Sequence, residues 1–271
     1  MASEITKIAG GIPQHYDLGL GPNLFQDHAR DLARRVAAIR PKRVLELAAG
    51  TGILSRHLRD ALDESCRLTV TDIVEPMLNV AKEKFAENES VRFEVADAQS
   101  LPFDSHSFDA IACQFGVMLF PDKQAAYQEA FRVLSPGGHY LFNIWQSFQA
   151  NPFAQITHDT LSGFFESDPP LFWRMPFAYH APEVVTQSLQ EAGFIDIEIQ
   201  PQEIQTQVED YDRFAQGLVF GNPLVNEIRS RGCVEAEVVC SAIADALRAE
   251  FGPEPSPIRL KSLVVTGTRP A

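Results

Sequence analysis

The sequence predicts an α/β fold, a largely parallel sheet covered by helices on both faces. Three features predict it. Strand-like and helix-like segments alternate through the first 145 residues, the first strand-like one is nearly continuous in apolar character, and it runs straight into a glycine turn followed by a helix. With 271 residues, 45% of them hydrophobic, the chain can build one large core. A single α/β unit carrying a lid competes here with two separate units.

Residues 23–39 place Phe25, Leu32, Val36 and Ile39 at near-helical spacing, with Asn23 as the cap and Pro41 beyond the end. RVLELA, opening after Lys42, is a strand that leads through a glycine turn to a helix from Ile53. A strand at 67–72, a helix at 76–86, and strands at 91–97 and 108–115 follow. The helix from Asp122 carries Tyr127, Phe131 and Leu134 on one face and is stopped by SPGG (135–138) before the strand HYLFNIW. Between 146 and 180 the pattern dissolves into Phe-rich, Pro-punctuated sequence. Pro182 starts a helix that ends at Gly193, and Ile195, Ile197 and Ile199 alternate as a sixth strand. Residues 209–247 are helical in parts, and 258–269 form a final strand.

Twenty-three Lys plus Arg stand against 36 Asp plus Glu, a formal charge of −13. A chain of that sign repels a phosphate backbone and an anionic bilayer at long range, so nucleic acid and membrane are poor partners. No window approaches the ~20 consecutive apolar residues of a membrane span. The N-terminal MASEITKIAGGIPQHYD lacks an apolar leader core, and a cytoplasmic protein without membrane insertion is expected. Cys66, Cys113, Cys233 and Cys240 form no CxxC pair and have no histidine at zinc-finger spacing, so neither a disulfide framework nor a metal is expected.

The chemistry concentrates at strand ends. Glu46 closes the first strand and is followed by Ala48-Ala49-Gly50-Thr51-Gly52, where missing Cβ atoms let a ligand approach the backbone and the next helix offers its N-terminal amides. Asp72, twenty residues beyond Gly52, ends the second strand and can accept hydrogen bonds from both hydroxyls of a ribose. Asp97 ends the third. Three consecutive strand ends thus bring polar groups to one crevice, an order that fits an adenosine. Taken singly, each also reads as ordinary structure: Glu46 as a helix cap, Asp72 and Asp97 as turn residues.

VLELAAGTGILS (44–55), VTDIVEPML (70–78), VADAQSLPF with SFDAI (95–111) and RVLSPGGHYLF (132–142) occur in an order and spacing that resembles the class I S-adenosylmethionine-dependent methyltransferases, in particular the branch that includes the ubiquinone and menaquinone biosynthesis methyltransferases. The likeness covers residues 40–145. It implies a Rossmann-like seven-stranded sheet whose last strand is antiparallel, a lid built from insertions, and S-adenosyl-L-methionine as cofactor. It also implies roles: Glu46 and the turn through Ala48, Gly50, Thr51 and Gly52 on the methionine end, Asp72 on the ribose, Ile73 and Met77 on the adenine faces, Asp97 and the backbone of Ala98 on the adenine edge, and Gln114 and Phe115 facing the methyl group. Ala48 stands where the family usually has glycine, and a negative φ would accommodate its methyl. The implied reaction is direct in-line transfer to a small, largely apolar or aromatic metabolite, governed by positioning. The corresponding division of the chain is an N-terminal segment (1–40) over the cofactor, a cofactor-binding core (41–145), a Phe-rich lid (146–181), and a completion of the sheet (182–271) with a helical insertion near 209–247.

A nicotinamide-dependent dehydrogenase would use Asp72 equally well, but the dinucleotide fingerprint needs glycine or alanine at its third position, where the frame from Gly50 has Ser55 and the frame from Ala48 has Ile53. A protein of the same fold that binds the cofactor without transferring methyl, such as a cyclase, a decarboxylase or a regulatory subunit, is the alternative, because alignment of reactants leaves no residue signature. No catalytic residue is assigned. His15 and Tyr16 read either as a gate over the cofactor or as packing for the first helix. The run Phe148, Phe153, Phe164, Phe165, Phe172, Trp173, Phe177 and Tyr179 reads either as lid core or as an acceptor pocket, with His15, Phe148, Phe164, Phe165 and Trp173 as the pocket candidates.

Overall fold

The computed structural model describes residues 11–271, so the first ten residues of the N-terminal segment lie outside the described residues. The chain enters through a helical turn (Ile12–His15) and a π-helical stretch (Tyr16–Phe25) that passes into helix α1 (Gln26–Ala38). The helix starts later than the apolar spacing suggests. Pro22 has no amide to give and interrupts an α-helical ladder; Asn23, rather than capping α1, donates its Nδ2 to the Gly19 carbonyl at 2.7 Å.

Strand β1 (Arg43–Glu46), helix α2 (Ile53–Ala61), β2 (Arg67–Asp72), α3 (Glu75–Lys82), β3 (Val91–Val95) and β4 (Phe108–Gln114) follow in the alternation read from the sequence. Asp122 caps α4 (Lys123–Val133) by accepting the Ala125 amide. Strand β5 (Leu134–Trp145) takes in SPGG instead of starting after it. Leu134 already pairs with Phe108, pairing resumes at His139 with Ala110, and the glycines form an irregularity inside the strand.

The stretch 146–180 is more ordered than its sequence suggests. It holds helix α5 (Pro152–Ser162) between two 3₁₀ segments, Phe148–Ala150 and Phe172–Phe177. The buried face of α5 is Phe153, Ala154, Thr157 and Leu161, and the alanine and threonine dilute its apolar period. Fully buried Asn151 ties α5 to the sheet: its Oδ1 accepts the Lys261 amide at 2.9 Å and its Nδ2 donates to the Lys261 carbonyl at 3.0 Å. Helix α6 (Pro182–Glu191) then leads to β6 (Ile195–Val208), far longer than its three alternating isoleucines.

The seven strands are ordered β3-β2-β1-β4-β5-β7-β6, with β7 (Ser256–Thr268) antiparallel to both neighbours. Strand β5 pairs with β7 only from His139–Thr268 to Trp145–Ser262, whereas the β6–β7 ladder continues to Val208–Ser256. The two strands therefore project as a ribbon beyond the carboxyl edge of the parallel strands. Helices α7 (Tyr211–Phe220), α8 (Leu224–Arg231) and α9 (Ala236–Phe251), inserted between β6 and β7, are carried to that edge. Among the described residues no helix is long and apolar enough to cross a membrane.

The π-helical stretch and α7 meet backbone to backbone. A Cβ built on Gly19 would lie 2.6 Å from Gly217 Cα, and one on Gly217 would lie 2.7 Å from the Gly19 carbonyl carbon. Neither position has a flexible side chain that could yield. Gly217→Ala is expected to lower stability by about 1–3 kcal/mol, seen as a lower denaturant midpoint with an unchanged m-value.

Candidate functional site

After Glu46 the chain crosses the carboxyl edge through three left-handed residues, Ala48 (φ 51°), Gly50 (φ 56°) and Gly52 (φ 80°). The expected negative φ at Ala48 is thereby corrected. The Leu47 amide donates to the Ala112 carbonyl on one side and the Ala49 amide to the Thr71 carbonyl on the other, both at 2.9 Å, and these two bonds fix the direction of the chain between them. The conformation costs an L-residue about 1–2 kcal/mol. Gly116 makes room for the Ala48 methyl, since a Cβ there would lie 2.6 Å from it. At Gly52 a Cβ would stand 2.7 Å from that of Ala81, so this glycine lets the start of α2 close onto α3.

Asp72 stitches the turn to its neighbour. One carboxylate oxygen accepts the Gly50 amide at 2.7 Å and the other the Val74 amide at 2.8 Å. Burial pushes its pKa up, and the amides of Val74, Gly50 and Ile73 pull it back. Asp97 accepts the amide and side-chain nitrogen of Gln99, whose Oε1 in turn accepts the Asp122 amide at 2.8 Å. Gln114 donates Nε2 to the Phe25 carbonyl at 2.8 Å. Phe115, also left-handed at φ 51°, stacks on Trp145 with centroids 4.0 Å apart.

These groups share one cavity. It is lined by Tyr16, Ala48, Gly50, Asp72, Ile73, Met77, Asp97, Ala98, Gln114 and Phe115, all singled out in the sequence. Thr51 lines a small adjoining cleft with Tyr16, Phe25 and Gln114. Burial and the nearby Asp72 and Asp17 charges raise the pKa of the Tyr16 phenol, which stays protonated.

Glu46 is 1% exposed beneath the turn. Its Oε2, Thr51 Oγ1 and Ser55 Oγ are buried without a hydrogen-bond partner among the described residues. Leaving such atoms unpaired costs about 1–3 kcal/mol each, and a set of one carboxyl and two hydroxyls fits a ligand that carries an ammonium group. Burial pushes the Glu46 carboxyl up to about 8. The Ser55 hydroxyl, close by but outside hydrogen-bond geometry, opposes the shift, and the Asp72 charge adds to it.

The five pocket candidates do not reach the cavity. His15 packs on Phe220 at 5.5 Å, and Phe148 on His158 and Phe177. Trp173 is buried and donates Nε1 to the Leu218 carbonyl at 3.3 Å. Phe164 is half-buried against the core, and Phe165 lies under the Arg231 guanidinium. Phe172, beside Trp173, lines the cavity instead, with Leu119, Phe120 and Pro121 after β4 and Gly221, Asn222 and Pro223 between α7 and α8. The Asn-Pro pair at 222–223 was a turn signal in the sequence, but nothing there placed that turn over the sheet. Among the described residues no group of three or more His, Cys, Asp or Glu is placed to hold a metal ion.

A raised Glu46 makes stability pH-dependent. Below the ordinary carboxyl range both folded and unfolded chains hold the proton and there is no penalty. Between pH 4.5 and 8 the unfolded chain ionises while the fold keeps its proton, so stability falls as pH rises. Glu46→Gln removes this term and is expected to gain more than about 1 kcal/mol over the parent at pH 8 relative to pH 5, checked by thermal melts across that range.

A methyltransferase domain family matches residues 44–138, the span from β1 into β5. The demethylmenaquinone methyltransferase of Deinococcus radiodurans is 39% identical over 138 residues, covering 49% of this chain and 57% of that protein. The Thermus thermophilus enzyme of the same name is 41% identical over 123 residues, covering 45% and 54%. The chain thus spans little more than half the length of these curated relatives. The structure of Haemonchus contortus phosphoethanolamine N-methyltransferase 2 in complex with S-adenosyl-L-methionine superposes with a TM-score of 0.60 over 96% of this chain and 57% of that one, a likeness of fold at 16% identity. The span shared in sequence supplies the turn after β1 and the ends of β2, β3 and β4 to the cavity, and over it the chain is similar to a methyltransferase domain and to the demethylmenaquinone methyltransferases.

Proposed function

We propose that the protein transfers a methyl group from S-adenosyl-L-methionine to a small, largely apolar ring metabolite. The observation that carries this reading is the single cavity whose wall combines Gly50, Asp72 and Asp97 with Leu119, Phe120, Phe172 and Pro223. When bound, the cofactor supplies a methyl group already activated on a sulfonium sulfur and open to direct in-line displacement.

The chain's own residues bind, orient and exclude water. A carboxylate has about four acceptor sites, so Asp72 can hold the Gly50 and Val74 amides and still accept ribose hydroxyls. Ile73, 42% exposed into the crevice, and Met77 offer apolar faces to adenine, and Asp97 with the Ala98 backbone offers its edge. Glu46, Thr51 and Ser55 take the amino-acid end. Residues 41–145 would then hold the cofactor, while the N-terminal segment, the 146–181 lid and the helices near 209–247 close over it and shape the acceptor side.

The relatives' name, demethylmenaquinone methyltransferase, points to a quinone-type ring. Such a ring suits Phe172, Leu119 and Phe120 better than a polymer would, and the −13 charge disfavours nucleic acid. A cytoplasmic location is part of the same proposal.

Two substitutions test the two halves of the cavity. Asp72→Asn keeps an acceptor for the turn and removes the charge; a charged hydrogen bond contributes roughly 1.5–3 kcal/mol, so S-adenosylmethionine should bind at least about tenfold more weakly by calorimetry, and unchanged affinity would sink the assignment. Phe172→Ala should raise the KM for a quinol acceptor severalfold while cofactor affinity stays normal. Equal effects on both ligands would place Phe172 on the cofactor side instead.

A further inference from the structure

We propose that cofactor binding is coupled to a proton at Glu46, which stands as the neutral acid in the free protein and releases its proton to solvent when the α-ammonium of the ligand's amino-acid end settles against it. This rests on the function proposed above and adds to it the charge state of the site.

Among the described residues the geometry leaves Glu46 no counter-ion. The residue is 1% exposed, and its Oε2 has no partner among them. From β2 it is faced by Asp72, a second acid, and by Thr71, whose hydroxyl is spent on the Glu46 carbonyl at 2.7 Å. From β4 it is faced by Cys113, a thiol that burial keeps protonated. Helix α2 contributes Ser55, but its cations are engaged elsewhere: Arg56 with Asp60 and Glu89, Arg59 with the carbonyls of Leu62, Asp63 and Cys66, and His57 with Gln26. From the π-helical stretch Tyr16 brings only a phenol. A buried carboxylate without a cation is costly, so the free protein holds the acid. An ammonium at hydrogen-bond distance reverses that balance, since an opposite charge favours the ionised form.

Calorimetry of S-adenosylhomocysteine binding to the wild-type chain in phosphate and in Tris at pH 7 reads the proton through the difference in buffer ionisation heat. Close to one proton released is expected, with affinity rising about tenfold per pH unit between pH 6 and 7.5. 5′-Methylthioadenosine, which lacks the amino-acid end, should bind with the same heat in both buffers. Glu46→Gln should bind S-adenosylhomocysteine with no buffer dependence. Buffer-independent heat for S-adenosylhomocysteine on the wild type, or the same proton release with 5′-methylthioadenosine, would overturn the coupling and leave the methyltransferase reading standing. If neither ligand binds, both fall together.

Discussion

The site depends on one carboxylate. Asp72 receives an amide from the turn after β1 and another from the turn after β2, and so holds two loops of the carboxyl edge in one arrangement. Three left-handed residues precede or share that turn, and an unrestrained loop would relax away from them. The hydrogen bonds to Asp72 and those from Leu47 and Ala49 to the flanking strands hold the turn at the cavity wall. Among the described residues Asp72 meets no cation; backbone amides support its charge, which leaves lone pairs free for hydroxyl donors.

The closure above the site is built differently. The β6–β7 ribbon passes the end of β5 and delivers α7, α8 and α9 to the carboxyl edge, and the Gly19–Gly217 contact joins α7 to the π-helical stretch that carries Tyr16. Gly221 continues this seam, because a Cβ there would lie 2.9 Å from the Tyr16 backbone. A contact made of backbone alone has no rotamers to adjust, so these two pieces of the roof hold a fixed relation to each other.

What the sequence disclosed follows from this contrast. Strands β1 and β4 and the glycine turn were legible because buried parallel strands are largely apolar and a left-handed turn favours glycine. The strand-end acids were legible because each sits at a fixed offset from such a strand. The sign of φ at Ala48 was not, since bonds to Ala112 and Thr71, 64 and 23 residues away, impose it. Helix α5 was hidden by its alanine and threonine. Among the aromatics, composition left both lid core and acceptor pocket open. Trp173 and Phe172 are adjacent in a 3₁₀ segment, yet one turns into the core and the other toward the cavity, a choice made by the tertiary packing of Phe153 against Trp173.

The two halves of the molecule meet at Trp145. It ends β5, stacks on Phe115 at 4.0 Å at the cavity wall, and packs on Phe177 at 5.8 Å and Phe153 at 6.0 Å in the stretch 146–180. Phe115 in turn is held left-handed by its amide, which donates to both the Asn143 carbonyl and the Asn143 side chain, two residues before Trp145 on the same strand. The edge of neutral His28 completes the packing, its ring kept uncharged by burial that lowers it to about 4. The packing of Phe153 and Phe177 therefore bears directly on the wall where strand β4 meets the cavity. A change in the stretch 146–180 that spares this stack leaves the Phe115 side of the cavity in place, whereas one that moves Trp145 shifts Phe115 with it. Phe172 and the 221–223 turn line the same cavity from outside that stack.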